Sequence, residues 1–255
     1  MSEKKQHKAW VNLTVAEGKR LIALGLKHYP KVKRCLEKGR LVIAKGTTNT
    51  YVLESLTDLT LANGDYVNGH ILPQGGSKKL DKVNIRPEVV LENGSLSDKT
   101  YPDVMETMGN EDIILKGANI INYEKKQAGV IVVHPTGGTC GLITPPIEKN
   151  KIQLIIPVGL EKDSSEDIRD LAEKSLDIKE NCKGNTPYVW ALEGEIFTEI
   201  EALKQLVKLD ITPIGKGGIG GAEGGVSLLL SGEETELNKA LKIIKDLQGE
   251  SDYVK

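Results

Sequence analysis

Short runs of Val, Ile and Leu that end at glycine-containing or polar turns are the feature that most constrains this fold. They occupy residues 41–44, 113–115 and 130–133. Short continuous apolar runs are typical of strands that are buried on both faces, as in parallel α/β sheets. With 27 Gly but one Phe and two Trp, the chain must build its core from aliphatic side chains. The pattern predicts an α/β fold with a mostly parallel sheet.

The length of 255 residues suits one large domain or two smaller ones, and we favour two, divided near Pro145-Pro146. Residues 1–148 are predicted to form a Rossmann-like layered domain, and residues 150–255 a smaller α+β domain. The second domain is predicted to contain strand 152–160, helix 164–176 capped by Ser164 or Ser165, strand 187–192, helix 198–207, strands 211–214 and 226–230, and helix 233–247. The order from residue 187 onward resembles a ferredoxin-like unit.

Local signals mark the first helices and place a turn after the first strand. Thr14-Val-Ala-Glu17 predicts a capping box, and Pro30 predicts a second helix that ends at Gly39. The apolar residues at helical spacing in the next predicted helix are Val52, Leu53, Leu56 and Leu59. Residues 46–50 therefore form a predicted strand-to-helix turn. The breaker-rich stretch that follows, up to Pro102, is predicted to be short strands and loops that cover an edge or the mouth of the sheet.

Composition and charge exclude several classes of protein. No run approaches the roughly 18 apolar residues of a membrane span, and no signal-peptide core follows the first lysines, so we expect a cytoplasmic protein without a membrane partner. Cys35, Cys140 and Cys182 are too few and too far apart for a disulfide framework or a zinc site, so we expect reduced thiols and no metal or cofactor. Residues 1–40 carry 11 Lys/Arg against 3 Asp/Glu, interleaved with apolar residues at helical spacing, which favours a solvated helix face over nucleic-acid binding.

The turn after the first apolar run is the strongest candidate for a binding site. In an open α/β sheet, ligands lie beyond the carboxyl ends of the strands, where helix N-termini offer free amides and the positive end of the dipole. Gly46 allows close backbone approach, and polar groups follow it in Thr47, Thr48, Asn49 and Thr50. The turn is predicted to hold an anion such as a phosphate. The alternative is a plain helix cap, since Thr and Asn are favoured there.

Two further turns are predicted to open on the same edge of the sheet. The first contains Lys116, Gly117 and Asn119, and the second contains His134, Thr136, Gly137, Gly138 and Thr139. Lys116 would neutralise ligand charge, His134 would act near neutral pH, and Asn119 would orient a carbonyl or hydroxyl group. The alternatives are a solvated lysine, a hydrogen-bonded strand-end histidine and an Asn in a left-handed turn.

One segment resembles a known phosphate turn. Leu41-Val-Ile-Ala-Lys-Gly-Thr-Thr-Asn-Thr-Tyr-Val-Leu-Glu-Ser-Leu56 resembles the first such turn of the superfamily that contains ribose-5-phosphate isomerase, glucosamine-6-phosphate deaminase, CoA transferases and the sugar-sensing domains of certain bacterial repressors. Gly117-Ala-Asn-Ile-Ile121 is similar to its Gly-Ala-Asp motif, and Gly137-Gly-Thr139 stands where its second glycine-rich turn falls. The resemblance covers about residues 15–150 and implies a sugar phosphate or a CoA ester as ligand.

Some positions depart from the pattern of this superfamily. The isomerases place acids where this chain has Asn119 and Asn122, and an amide cannot act as a general base. Glu223, the only comparable candidate for the nucleophile of a CoA transferase, lies far away in the second predicted domain, so this role is not carried over. Catalytic residues stay unassigned. Two hypotheses remain open: an enzyme that acts on the bound anion, and a non-catalytic ligand sensor or assembly module.

Seven glycines fill residues 215–225, between two predicted strands. The segment lacks the Gly-Lys-Ser/Thr ending of a Walker loop, and no helix follows it directly. One interpretation is a flexible binding lid that carries Lys216 and Glu223. The other is a hairpin or a close backbone contact with another subunit, which leaves a homo-oligomer open.

Overall fold

The structure is a computed structural model that describes residues 6–61, 64–68, 71, 87–181 and 187–253. Within these residues the chain has a mixed α/β fold. The strands are β1 (His7–Leu13), β2 (Arg40–Ile43), β3 (Val89–Glu92), β4 (Ser95–Leu96), β5 (Ile113–Leu115), β6 (Ile120–Asn122), β7 (Gln127–Val132), β8 (Gln153–Pro157), β9 (Tyr188–Leu192), β10 (Glu195–Phe197), β11 (Asp210–Lys216) and β12 (Val226–Gly232). The helices are α1 (Val15–His28), α2 (Pro30–Lys38), α3 (Thr47–Leu56), α4 (Tyr101–Met105), α5 (Thr139–Asn150), α6 (Ile168–Asn181), α7 (Glu199–Leu206) and α8 (Glu234–Leu247), with a short 3-10 helix at Leu160–Lys162. The predicted breakers Gly69, Pro73, Gly75 and Gly76, and the third cysteine, Cys182, lie outside the described residues.

A six-stranded sheet in the order β10-β8-β5-β2-β3-β4 lies at the centre. β10, β8, β5 and β2 run parallel, whereas β3 pairs antiparallel with β2, and β4 pairs antiparallel with β3 at the edge of the sheet. Successive side chains of a strand point to opposite faces. Leu41 and Ile43 therefore pack in one core, with α1, α3 and α7, while Val42 packs in the other, with α4, α5 and the strands β6, β7 and β9. Both faces of the parallel strands are covered, which confirms the predicted α/β class.

The predicted signals for the first two helices are confirmed. The Thr14 hydroxyl accepts a hydrogen bond from the Glu17 amide at 3.2 Å, and the Glu17 carboxylate accepts one from the Thr14 amide at 2.9 Å. This reciprocal pair is the capping box of α1. α2 begins at Pro30 and ends before Gly39. None of the described helices is long and apolar enough to span a bilayer.

Each of the three sheets combines strands from both sides of the predicted domain boundary near residue 149. β1 pairs with β12 and β7 pairs with β9, both antiparallel, while β5 pairs in parallel with β8. The strands predicted to form a ferredoxin-like unit are distributed over two sheets, with β9 beside β7, and β11 and β12 beside β1. The prediction of a ferredoxin-like unit was wrong, because the order of strands along the chain does not determine which sheet covers the apolar faces of each strand. The apolar strands β8 and β10 continue the parallel sheet, where both of their faces are covered.

α5 runs through the Pro145-Pro146 pair, which was predicted to be a break. Proline removes the helical hydrogen bond to the carbonyl four residues earlier. These carbonyls belong to Gly141, which is half-buried, and Leu142, which is 55% exposed. Their exposure lets water replace the missing donors, so the helix continues at a lower cost than it would in the core.

Two other elements differ from the prediction. The basic N-terminal segment includes the strand β1, in which the buried Val11 and Leu13 alternate with outward residues such as Trp10, 67% exposed. α6 begins at Ile168, later than predicted, and the Asp167 carboxylate caps it by accepting from the amides two and three residues on, at 3.0 and 3.3 Å. The described cysteines, Cys35 and Cys140, are buried free thiols.

Candidate functional site

The carboxyl ends of β2, β5, β8 and β10 form one edge of the sheet, which we call the carboxyl edge. α3 follows β2 and α7 follows β10, so both helices direct their N-termini toward this edge. α1 runs beside α7 in the same direction, because Glu199 lies against Gly18 and Ala202 lies against Gly25. The N-termini of three helices therefore give this edge a positive electrostatic potential, which favours anions.

Gly46 is the N-cap of α3, and the helix begins at Thr47. The predicted turn over residues 46–50 is thus corrected: its last four residues form the first turn of the helix. The amide of Gly46 donates to the Tyr66 carbonyl at 2.9 Å. Within the described ranges, no acceptor is bonded to the amides of Thr47, Thr48 and Asn49. These amides are the groups that a helix N-terminus offers to an anion.

Two of the predicted ligand residues in this turn mainly hold the edge together. The Asn49 side chain is fully buried, and its Nδ2 donates to the carbonyls of Ala44 at 2.7 Å and Leu115 at 3.0 Å, which joins the ends of β2 and β5. Its Oδ1 is buried and has no hydrogen-bond partner among the described residues. The Thr50 hydroxyl lies 3.1 Å from the Gly46 carbonyl and 3.2 Å from the Tyr253 hydroxyl. Asn49 and Thr50 therefore position the turn.

Lys116 follows the last residue of β5 and is half-buried. Its amide continues the sheet by donating to the Ile155 carbonyl at 3.1 Å. Its Nζ lies 3.4 Å from the Gly117 carbonyl and forms no ion pair with a described carboxylate. Burial lowers the pKa of Lys116 below its ordinary value, and the charge of Lys162 adds to this shift, while Glu88 and the Cys140 thiol oppose it. Lys116 is the predicted site residue that the structure places most clearly at the carboxyl edge.

Three more lysines lie at the same edge, and the sequence reasoning did not identify them. Burial, followed by the charge of Lys162, lowers the pKa of Lys19 on α1 to about 8. Lys162, at the end of the 3-10 helix after β8, donates to the Ala118 carbonyl at 2.9 Å. Lys45 lies 3.9 Å from the Glu88 carboxylate. We call these three residues together with Lys116 the edge lysines.

Acidic groups balance part of this charge. The carboxylates of Glu161 and Asp252 raise the pKa of Lys19 and so oppose the effect of burial. Among the edge lysines, only Lys45 forms an ion pair with a carboxylate in the described part of the chain. The edge therefore has positive charge that an incoming anion can neutralise. The acids at the edge reduce the repulsion between the lysines.

Glu199, the first residue of α7, is a buried acid at this edge. Its side chain is 2% exposed, and its Oε2 accepts a hydrogen bond from the Leu160 amide at 3.0 Å. Burial, followed by the charge of Glu161, raises the pKa of Glu199 to about 8. At neutral pH the carboxyl group therefore mostly holds a proton, which it can donate or share.

Tyr101 and Cys140 lie on the other side of the same edge. Tyr101 is 2% exposed, and its hydroxyl has no hydrogen-bond partner among the described residues. Burial raises its pKa, and the charges of Glu88 and Cys140 raise it further. Tyr101 and Cys140 belong to the same core cluster, and Cys140 and Lys116 each shift the pKa of the other, so the first turns of α4 and α5 lie near Lys116. A buried hydroxyl without a partner is rare in folded proteins and needs a physical reason.

The second predicted turn, residues 136–139, does not follow a strand of the parallel sheet. It comes after β7, which lies in the antiparallel sheet with β6 and β9. Gly137 and Gly138 adopt φ angles of 79° and 55°, and a Cβ on Gly137 would lie 2.4 Å from the Trp190 ring. The prediction that the turn shares its sheet edge with the other two was wrong, because an apolar run does not specify its pairing partner. Cys140 nevertheless brings the first turn of α5 near Lys116.

Asn119 and His134 are engaged in local contacts elsewhere. The Asn119 Oδ1 accepts a hydrogen bond from the Ile131 amide at 3.0 Å, and the backbone amide of Asn119 donates to the Gly129 carbonyl. Asn119 therefore stabilises the pairing of β6 with β7. His134 is exposed, and its Nδ1 lies 3.0 Å from the Thr136 hydroxyl. The structure brings neither side chain into contact with the edge lysines.

Residues 217–225 form the hairpin loop between β11 and β12, which agrees with the hairpin interpretation. The Glu223 carboxylate accepts hydrogen bonds from the amides of Gly220 at 3.0 Å and Gly221 at 2.8 Å, so it closes its own loop. Lys216 forms an ion pair with Asp163 at 2.9 Å. Both polar side chains therefore have close protein partners, whereas the Lys116 Nζ has only the Gly117 carbonyl at 3.4 Å among the described residues.

Two open clefts lie away from the carboxyl edge, with volumes of about 490 Å³ and 360 Å³. The charged residues in the first are Lys204, Lys208, Asp210 and Glu233, and those in the second are Lys125, Lys126, Arg169 and Glu193. In the second cleft, Lys125 pairs with Asp167 at 2.9 Å and Arg169 pairs with Glu193 at 2.6 Å, while the Lys126 Nζ lies 3.5 Å from the centre of the Tyr123 ring. Two of its three cations are therefore already paired with carboxylates. Across the described residues, no group of three or more His, Cys, Asp or Glu side chains could hold a metal ion.

Comparisons of the chain with protein-family models, with curated proteins and with solved structures find no match. The resemblance to the sugar-phosphate superfamily therefore depends on the short motifs quoted above. It stays a prediction.

The overlooked residues have weak sequence signals. Lys19 has the same surroundings in sequence as a solvated helix lysine, and Glu199 has those of an ordinary acid in the first turn of a helix. One signal was available: Thr198-Glu199 follows the apolar pair Ile196-Phe197, so it repeats the pattern of a strand that delivers polar residues to a helix start. A systematic search for polar residues after every short apolar run would have found Glu199.

Proposed function

We propose that this chain binds a phosphorylated or otherwise anionic small molecule, of the sugar-phosphate or CoA-ester class, at the carboxyl edge. The observation that carries the proposal is that Lys162 lowers the pKa of both Lys19 and Lys116 at the edge where α3 has its first-turn amides, and that none of the three lysines forms an ion pair with a described carboxylate. Placing several cations together in a partly desolvated region costs free energy. A bound anion would offset this cost.

The layout of the sheet supports the same location. Ligands of open α/β sheets lie beyond the carboxyl ends of the strands, and phosphates lie on helix N-termini. We propose that the parallel strands and the helices on both faces constitute a Rossmann-like layer related to the sugar-phosphate superfamily. In this proposal the turn at Gly46 contributes backbone amides and the edge lysines contribute charge.

The first candidate function is an enzyme that acts on the bound anion. Glu199 supplies a protonated acid at the same edge, even though Asn119 and Asn122 lack carboxylates. The second candidate function is a non-catalytic ligand sensor or assembly module. It is favoured by the same two asparagines, which hold local structure: Asn122 donates to the Glu166 carbonyl at 3.0 Å and accepts from the Lys125 amide at 2.8 Å.

Thermal unfolding with paired ligands tests the binding proposal. The panel contains ribose 5-phosphate with ribose, glucose 6-phosphate with glucose, and coenzyme A with pantetheine. A ligand present at a hundred times its Kd stabilises the folded state by about 2.7 kcal/mol, which raises the Tm by several degrees for a chain of this size. We expect a phosphorylated member of one pair to raise the Tm and its partner to leave it unchanged.

Matched variants locate the site. Lys162→Gln should reduce the Tm shift, whereas Lys125→Gln, in the cleft beside α6, should retain it. A shift that survives in Lys162→Gln and disappears in Lys125→Gln would move the site to that cleft, and a panel with no shift at all would contradict the proposal. Turnover of the stabilising ligand, followed by NMR, then separates an enzyme from a sensor.

A further inference from the structure

Lys116 differs from the other edge lysines in its contacts. Lys45 lies 3.9 Å from a carboxylate, and Lys162 donates to a carbonyl at 2.9 Å. Lys19 has the charges of Glu161 and Asp252 near it. The charge of Glu88 acts on Lys116, but among the described residues its Nζ has only the carbonyl of the next residue as a hydrogen-bond partner, at 3.4 Å, which is a long and weak hydrogen bond. Its ammonium form therefore has weaker direct hydrogen bonding than that of Lys162.

This environment changes the chemistry of the side chain. Desolvation and a neighbouring cation both favour the neutral amine of a lysine, and the neutral amine is a nucleophile. The amine is also fixed at a defined place, because the residue follows β5 directly in the middle of the parallel sheet. A nucleophile at a strand end, beside the N-terminus of α3, can meet a ligand whose anionic group lies on that N-terminus.

A potential hydrogen-bond donor lies in the same region. Tyr101 packs in the same core cluster as Cys140 and Ala118, and the charges of Glu88 and Cys140 act on both Tyr101 and Lys116, so the hydroxyl and the amine lie in one region of the edge. The Tyr101 hydroxyl is buried and has no partner among the described residues. An unsatisfied buried hydroxyl costs on the order of 1–3 kcal/mol, and a carbonyl oxygen of a ligand would satisfy it.

We infer that Lys116 forms an imine with a phosphorylated aldehyde or ketone bound at the carboxyl edge, and that the Tyr101 hydroxyl hydrogen-bonds to the carbonyl oxygen. The inference rests on the proposed function and specifies its substrate class. The Nζ lone pair forms the new bond to the carbonyl carbon, and one proton passes from the nitrogen to the carbonyl oxygen, which gives a carbinolamine. The nitrogen lone pair then expels this oxygen, which takes the second proton of the nitrogen and leaves as water. The products are the imine and one water molecule, and no oxidant or reductant is consumed.

Two aldehyde probes test the inference: pyridoxal 5′-phosphate and pyridoxal, which lacks the phosphate. After incubation at pH 8, sodium borohydride converts any imine to a stable secondary amine, and peptide mapping by mass spectrometry locates the modified lysine. We expect Lys116 to be modified at least tenfold more than the exposed Lys27 on α1. We also expect the phosphorylated probe to modify it at least fivefold more efficiently than pyridoxal does. Wild-type protein suffices for this measurement.

Variants then separate the two proposals. Lys116→Met should abolish this modification while it keeps most of the Tm shift given by pyridoxal 5′-phosphate, and Lys162→Gln should reduce the preference for the phosphorylated probe. Tyr101→Phe should slow modification of Lys116 without changing the Tm shift, and an unchanged rate would overturn its role.

The remaining outcomes are distinct. Modification of Lys19 or Lys162 in place of Lys116, or no modification of any of the three, would overturn the imine inference. The Tm measurement would still decide separately whether the edge binds an anion. Equal modification of Lys116 by both probes would retain the imine and contradict the anion site.

Discussion

The turn at Gly46 contains one glycine, and the loop between β11 and β12 contains six. The two regions differ in whether their polar groups already have protein partners. In the hairpin loop, Glu223 already bonds to the loop amides, and Lys216 is paired with Asp163. At the carboxyl edge, the first amides of α3 have no bonded acceptor among the described residues, and the amine of Lys116 has no carboxylate partner there, only a carbonyl at 3.4 Å. Both regions were candidates on the basis of glycine and charge. The difference shows that glycine content reports backbone geometry, whereas unpaired polar groups in a desolvated region indicate binding.

The largest expected effect is on the free energy of unfolding. It compares a glycine packed between α1 and α7, behind the carboxyl edge, with a glycine in the open hairpin loop. At the crossing of α1 with α7, a Cβ on Gly25 would lie 2.4 Å from the Cα of Ala202, which cannot move without shifting a helix. Gly25→Val should therefore lower the free energy of unfolding by about 3 kcal/mol or more. Gly220→Ala in the hairpin loop has open space but a φ of 68°, so it should cost only about 1 kcal/mol. Urea unfolding of both variants checks this, and equal costs would contradict the packing account.

The second effect is a dependence of stability on pH at the carboxyl edge. The folded-state pKa of Glu199 is raised from 4.5 to about 8, so between these pH values the folded protein holds a proton that the unfolded chain releases. Its contribution to stability is full below pH 4.5 and is lost as the pH rises toward 8, with a slope of up to about 1.4 kcal/mol per pH unit. The pKa of Lys19 is lowered from 10.5 to about 8, which makes stability rise again from pH 8 to 10.5. We expect a minimum near pH 8.

Glu199→Gln tests this dependence. The variant should lose most of the decline in the free energy of unfolding between pH 6 and pH 8, because the amide holds no titrating proton. Glu223→Gln in the hairpin loop is the matched control and should keep the decline. Urea unfolding across the pH range is the measurement. A wild-type protein with constant stability over this range would show that Glu199 is ionised in the folded state.

The third effect compares one side chain from each region in ligand binding. Thr48→Val removes a hydroxyl from the first turn of α3 with little change in shape, and loss of one hydrogen bond of about 1 kcal/mol corresponds to a five- to tenfold weaker affinity. Lys216→Ala should change affinity less than twofold, because that lysine pairs with Asp163. Calorimetric titration with the ligand found in the thermal panel gives both values. The reverse order would transfer the site to the hairpin.

The smallest expected effect is that of Glu223→Gln on ligand affinity. The amide side chain can still accept a hydrogen bond from the Gly220 or Gly221 amide, so the loop should persist and the affinity should stay within about twofold of wild type. The same titration measures it. A tenfold loss would mean that the hairpin contributes to the binding site after all.

The local parts of the fold were predictable from the sequence. Thr14 and Glu17 define the start of α1, and Pro30 and Gly39 define the ends of α2, because capping depends on residues within a few positions of each other. The position of Lys116 after a buried strand was predictable for the same reason. These features need no knowledge of distant parts of the chain.

Strand pairing was not predictable. The runs at Ile113 and Val130 look alike, yet one strand lies in the parallel sheet and the other in an antiparallel sheet, because a buried strand does not encode its neighbour. The site residues Lys19 and Glu199 were missed for a related reason. Their pKa shifts arise from burial against residues far away in sequence, and helical spacing gives no information about those contacts.

The pairing of β1 with β12 has a consequence for synthesis of the chain. A hydrogen bond between Asn12 and Ser227 spans 215 residues, and Arg20 reaches Glu250 across 230. A ribosome that is still translating therefore presents β1 as an unpaired strand, with Trp10 and Val11 available to other chains. Non-local closure of this kind is slow, and β1 is open to aggregation until β12 has left the exit tunnel. A chaperone that binds β1 during translation would therefore have to shield it while most of the chain is synthesised.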